Sequence, residues 1–253
     1  MLRIVSITLL FCLMQIPAAQ AKSPLIAAAA SLRFVMPQLE QAFIASGGVK
    51  LKISFGSSGN LSRQIIQGAP HELFLSADTS YVSALIDKGL TKDAGETYAY
   101  GRLAFIAAKN SKVDVDAKLA GLKAAVASGR VKRFAIANPQ FAPYGRAARQ
   151  VLEKAGIWTK IQPRLVIGEN VSQTAQFAIS AAAQGGLVSY SLALAPGVAA
   201  KTKQTLVPSS WHQPLKHQMV LLKGAARETI DFYEFMRSPQ AQEILARNGF
   251  SKF

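Results

Sequence analysis

Apolar and polar positions follow two rhythms along this chain. Short apolar or alternating runs at 25–30, 49–55, 72–76, 102–108, 134–137, 164–167, 187–190 and 217–222 read as strands. The run 49–55 alternates Val-Lys-Leu-Lys-Ile-Ser-Phe, the pattern of a strand with one wet face. Between the strands the period lengthens. Over 32–46, Leu32, Val35, Leu39 and Phe43 share one helical face, and Pro37 predicts a late start or a bend there. Further helices are predicted at 61–67, 79–88, 147–155, 172–184 and 229–236. In the 172–184 segment Val171, Ala175, Ala178, Ile179 and Ala182 face inward, and Gly185-Gly186 stops it. A last helix opens at Ser238-Pro239, as cap and first-turn proline, and closes at Asn248-Gly249. Strand-then-helix alternation predicts the α/β class, with ligands at the carboxyl ends of the strands. The chain is long for one such sheet and comfortable for two. The order predicts lobe one over 22–100 and 209–253 and lobe two over 101–208.

The first residues follow a different logic. Met1-Leu2-Arg3 is a short positive start, 4–16 is apolar, and Pro17-Ala18-Ala19-Gln20-Ala21 carries an Ala-x-Ala pattern. This is the layout of a cleaved signal peptide over 1–21, too short for a comfortable membrane span. The single cysteine, Cys12, lies inside it, so the exported chain has neither disulfide nor Cys-based metal site. A periplasmic location follows.

Charge changes the picture less than its size suggests. Lys and Arg number 29 against 14 Asp and Glu, a formal net charge of +15. A basic surface can bind nucleic acid, touch an anionic membrane, steer a small anion, or simply be solvated. The bases are spread out, the densest group being Arg130, Lys132 and Arg133, which argues against nucleic acid.

Polar turns after the strands carry the candidate chemistry. They are 28–32 (Ala-Ala-Ala-Ser-Leu), 55–61 (Phe-Gly-Ser-Ser-Gly-Asn-Leu) and 168–172 (Gly-Glu-Asn-Val-Ser), each before a helical segment. Helix starts leave backbone N–H groups unpaired, so starts converging on one cleft form an uncharged cage for a small anion. Each residue also has a plainer use. Ser31 can cap a helix, Ser57 and Ser58 can form a tight turn, and Asn170 can cap and leave Val171 N–H near the first turn. The loop 138–145, with Pro139 and Pro143, would present Tyr144 and Gly145 N–H groups at a helix start, or serve only as a rigid turn. Tyr190 ends a strand as a phenolic donor or a half-buried aromatic. Catalytic patterns are thin: His71, His212 and His217 are isolated, no Gly-x-Ser-x-Gly elbow exists, and Asp78 reads as a cap for the helix at 79. A periplasmic hydrolase using Asp78 and a histidine stands as the rival class.

Taken in order, these stretches resemble the substrate-binding proteins of bacterial molybdate ABC transporters, of the type II periplasmic-binding family. The carrying residues are Ala28 to Leu32, Phe55 to Ser58, Leu61 to Gln64, Gly68 to Asp78, Asn138 to Gly145, Glu169 to Val171, Tyr190, Ser238 to Gln242, and Gly249-Phe250. Gly56, Gly59 and Glu72 depart from the family pattern. The resemblance implies a two-lobed α/β fold, each lobe a mixed, mostly parallel sheet flanked by helices, joined by a two-segment hinge. It implies a monomer that is not an enzyme, needs no cofactor, and delivers molybdate or tungstate to an inner-membrane ABC permease. Ser31 and Ser58 would donate from lobe one, and Tyr144 N–H, Val171 N–H and the Tyr190 hydroxyl from lobe two. These residues would take the metal as its oxyanion and not as a bare cation. The same fold binding sulfate or phosphate is the nearer alternative.

Overall fold

The computed structural model describes residues 23–180 and 182–252; the signal-peptide reading of 1–21, Cys12 included, lies outside the described residues. The described strands are β1 (Leu25–Ala29), β2 (Lys52–Gly56), β3 (Leu73–Ser76), β4 (Glu96–Gly101), β5 (Leu103–Ala108), β6 (Phe134–Ala137), β7 (Leu165–Gly168), β8 (Gly186–Ser189), β9 (Thr202–Leu206) and β10 (Leu215–Leu221). The helices are α1 (Met36–Ala45), α2 (Ser58–Ile66), α3 (Thr79–Asp87), α4 (Ala120–Ala127), α5 (Pro143–Lys154), α6 (Trp158–Ile161), α7 (Val171–Ile179), α8 (Tyr190–Ala193), α9 (Pro196–Ala199), α10 (Arg227–Met236) and α11 (Pro239–Arg247).

Two five-stranded sheets result, in the orders β2-β1-β3-β10-β4 and β7-β6-β8-β5-β9. They share one plan. In the first, β1 pairs parallel with β2 and β3, and β10 runs antiparallel to β3 and β4. In the second, β6 pairs parallel with β7 and β8, and β5 runs antiparallel to β8 and β9. The chain leaves the first sheet through Arg102 and returns after β9 to insert β10. Each sheet with its helices is one lobe, and the two crossings form the hinge.

Strand β1 shows why a continuous apolar run marks a central strand. Ile26 and Ala28 pack with Leu39, Phe43 and Phe232 on one face, while Ala27 packs with Leu61, Ile65 and Phe74 on the other. Both faces are covered, so alternation disappears from the sequence. Strand β2 is the contrasting case at the sheet edge: Lys52 and Ser54 are exposed, and Ile53 and Phe55 are partly buried. The predicted face of α1 is buried as Leu32, Val35, Leu39 and Phe43, with Phe43 edge-on to Phe232 at 5.1 Å. In the second lobe Phe105 and Phe134 meet at 5.9 Å, and Ala29, Ala30 and Ala77 of the first lobe join that core across the cleft floor. A buried aromatic of this kind is worth about 3–5 kcal/mol against truncation to alanine.

Several boundaries differ from the sequence reading. Helix α1 starts at Met36, after a 3-10 turn over Ala30–Leu32, so Ser31 caps no helix. Helix α7 ends at Ile179 and not at 184, because Ala183 N–H turns back to the Phe177 carbonyl at 3.1 Å. The chain then brings Gly186 into line beside Ala135 of β6. Among the described residues no helix is long and apolar enough to cross a membrane.

Candidate functional site

Where the lobes meet, Ser31, Ser57 and Ser58 from one side and Ala142, Tyr144, Asn170 and Val171 from the other line a small cavity. Its empty volume is about 200 Å³, part of it open to solvent. That admits one compact group of a few atoms and excludes an extended organic solute. No lining residue is charged.

Helix starts supply the polar wall. Ser58 is the first residue of α2, Val171 the first of α7, and Tyr144 the second of α5. Asn170 caps α7, its side chain accepting from Ser172 and Gln173 N–H at 3.0 and 3.1 Å. The Val171 and Tyr144 N–H groups make no hydrogen bond to any described residue. The second expected donor of that loop is spent: Gly145 N–H bonds the Ala142 carbonyl at 2.9 Å. Gly145 matters by its size, since a Cβ there would run into the Ala137 carbonyl. On the facing lobe, the Ser58 hydroxyl accepts from Ala77 N–H at 2.9 Å, which leaves its own proton free to donate. Ser57 Oγ is buried with no partner, and Ser31 Oγ is buried beside the Tyr144 hydroxyl. All of these groups sit at helix N-termini or tight turns, where partial positive charge favours an anion.

The structure brings Ser31, Ser58, Tyr144 and Val171 to one cavity and leaves Tyr190 out of it. Strand β8 ends at Ser189, which caps helix α8, so Tyr190 is the first residue of a helix and not the end of a strand. Ser189 and Ser191 point inward, Ser191 Oγ donating to the Ser31 carbonyl at 2.7 Å and lying 3.1 Å from Ser189 Oγ. Tyr190 turns the other way, its ring against Gly249 and under the Arg102 guanidinium at 5.7 Å. The expectation of a phenolic donor from Tyr190 is corrected accordingly.

Behind the cavity lies a buried relay that the sequence reading missed. The Tyr144 hydroxyl meets His217 Nε2 at 3.3 Å, and the Tyr98 hydroxyl meets His217 Nδ1 at 3.1 Å. Burial holds the imidazole neutral, pushing its pKa down to about 3, with Asp78 pulling weakly the other way. A neutral ring has one donor and one acceptor nitrogen, so one phenol donates to it and the other accepts. Burial raises both phenols as well. The hinge residue Gly101 completes the arrangement, since a Cβ there would overlap the Tyr144 hydroxyl.

The lobes are closed on each other. Gly59 N–H donates to the Phe141 carbonyl at 2.9 Å, and Asn60 Nδ2 to Glu169 Oε1 at 3.2 Å. Arg146 reaches from α5 to pair with Asp78 and to donate to the Tyr81 hydroxyl at 2.8 Å. Asp78 also caps α3, accepting from Ser80 N–H at 2.7 Å. Both of its carboxylate oxygens are thus engaged. Among the described residues no group of three or more His, Cys, Asp or Glu side chains could hold a metal ion.

Comparison with known proteins places this architecture. The family model for bacterial extracellular solute-binding proteins matches residues 24–251. A molybdate-binding protein of Rhodobacter capsulatus is 34% identical over 228 residues, covering 88% of this chain and 86% of its own. One from Azotobacter vinelandii is 33% identical over 239 residues, covering 92% and 91%. The solved structure of the Azotobacter vinelandii periplasmic molybdate-binding protein superposes with a TM-score of 0.82 at 29% identity, covering 91% of this chain and all of that one. A sulfate-binding protein from Mycobacterium tuberculosis shares the fold at 15% identity, with a TM-score of 0.75.

Proposed function

The chain belongs to the bacterial extracellular solute-binding proteins, and on that premise we propose that it captures molybdate between its lobes and delivers it to an ABC permease. The observation that carries this reading is the small, uncharged cavity walled by hydrogen-bond donors from both lobes. In this reading Ser31 and Ser58 donate through hydroxyl and backbone N–H, and Tyr144 and Val171 through backbone N–H alone. The relatives from Rhodobacter capsulatus and Azotobacter vinelandii, both molybdate-binding, support the choice of ion.

Neutral donors suffice because a dianion gains from many short N–H and O–H contacts without a counter-charge. A full cationic partner would also slow release to the permease. Only the closed form offers donors from both sides, so the ligand shifts the population toward it. Phosphate is partly protonated near neutral pH, and its O–H finds no carboxylate acceptor among the lining residues. That mismatch costs about 1–3 kcal/mol. Tungstate has nearly the size and charge of molybdate and competes with it. The chain acts as an exported monomer in this reading, with 1–21 removed.

Titration calorimetry of the dialysed protein against molybdate, tungstate, sulfate and phosphate tests the proposal. Tight one-to-one heat with molybdate and tungstate alone is expected. Preference for sulfate or phosphate keeps the family and overturns the ion.

A further inference from the structure

We propose that Ser57 is a further donor to the bound oxyanion, released for that role by the opposite lobe when the cleft closes. This rests on the oxyanion reading above and goes beyond it. Ser57 is the N-cap residue of α2 and has the extended backbone such a residue needs, yet its side chain makes no capping hydrogen bond. Elsewhere in the chain Asp78, Asn170, Ser189 and Ser238 occupy N-cap positions, and each accepts from its own helix. A serine at an N-cap ordinarily accepts from the second or third N–H of the helix.

The exception has a visible cause. The second N–H of α2 belongs to Gly59, and the Phe141 carbonyl of the other lobe takes it at 2.9 Å. Phe141 thereby takes one of the two N–H groups that a capping hydroxyl could reach, and the Ser57 hydroxyl does not turn to the other, that of Asn60. The hydroxyl is left with nothing: Ser57 is only 3% exposed, its Oγ is buried without a partner, and it lines the cavity beside Ser31 and Ser58. A buried, unpaired hydroxyl is costly, and an acceptor in the cavity removes that cost. Closure thus exchanges a helix-cap bond for a ligand bond at one side chain. It also replaces the donor that Tyr190 does not provide, since the Tyr190 ring lies against Gly249.

The test is calorimetry with molybdate on wild type, Ser57→Ala and Ser57→Asp, with the melting temperature of each measured ligand-free. Ser57→Ala is expected to bind molybdate about ten- to a hundredfold more weakly, the range for a hydrogen bond to a charged group. Ser57→Asp can still cap α2 and so stays folded, but its carboxylate faces the anion, and binding is expected to vanish. An affinity for Ser57→Ala within twofold of wild type overturns the role of Ser57. So does retained binding by Ser57→Asp, which decides the matter even where the alanine variant melts early. Wild-type protein that gives no heat with molybdate sinks the underlying reading instead, and is recognised before any variant is compared.

Discussion

On the first lobe's side of the cavity the side chains of Ser31, Ser57 and Ser58 add hydroxyls to the main chain; on the second lobe's side the donors are main-chain N–H groups alone, those of Tyr144 and Val171. The one hydroxyl that the second lobe could offer there, on Tyr144, is turned to His217. Hydroxyls rotate, so the first lobe can follow an oxygen as it arrives. Main-chain N–H vectors are fixed by their helices, so the second lobe sets the geometry the ion must meet. One lobe adapts and the other gauges, although both sheets follow the same plan.

The largest break in that comparison removes the adaptable side. The Ser31→Ala/Ser58→Ala pair is expected to weaken molybdate binding by about a hundred- to ten-thousandfold, from two lost bonds of about 1.5–3 kcal/mol each. Calorimetry reads the loss, and an unchanged affinity would place the site elsewhere.

The next effect concerns the support behind the gauge. His217 is neutral when folded, with a pKa near 3, and ionises near 6.5 when unfolded. The unfolded chain therefore binds the extra proton as pH falls below about 6.5, and stability drops by up to about 1.4 kcal/mol per pH unit toward pH 3. Above that window this contribution is fully present. Denaturant melts of wild type and His217→Gln between pH 7 and 4 should diverge at the high end and converge at the low end. Parallel curves would mean the imidazole is not buried neutral.

A main-chain donor resists ordinary side-chain truncation, but proline deletes it. Val171 is the first residue of α7, where proline is tolerated, and Asn170 before it is already extended. Val171→Pro is expected to lose about ten- to a hundredfold in affinity with the helix intact. Val171→Ala should stay within a few-fold, as its side chain gives no hydrogen bond. Equal losses in the two variants would make the contribution of Val171 one of packing. The smallest expected effect is that of Tyr190→Phe, whose affinity should match wild type within twofold; a clear loss would return the phenol to the cavity.

Legibility in the sequence tracked burial pattern. Strands β1, β3 and β6 were readable because apolar runs there are unbroken, and β2 because its edge position alternates wet and dry. Strands β4 and β9 carry no such signal. Both lie at sheet edges, and sequences such as Thr-Lys-Gln-Thr-Leu carry no clean period. At the site, residues placed by a local rule were found: Asn170 caps, and Val171 follows the cap. Tyr190 escapes the local rule because β8 gives way to α8 at this residue, a boundary the apolar run 187–190 does not mark. His217 sat in a visible strand but had no local sign of its two tyrosine partners, which come from 119 and 73 residues away. Ser57 was visible as part of a turn, yet its freedom depends on Phe141 from the other lobe.

Strand β10 lies between β3 and β4 although it is the last strand made. Until residues 215–221 arrive, the first sheet is two unconnected pieces, β2-β1-β3 and β4. The second sheet draws all its strands from one continuous stretch between Leu103 and Leu206. During synthesis or passage across a membrane, the gauging lobe can therefore be finished while the adaptable lobe is still open at its centre. A truncation near the C-terminus should then leave a folded half that has no partner to close upon.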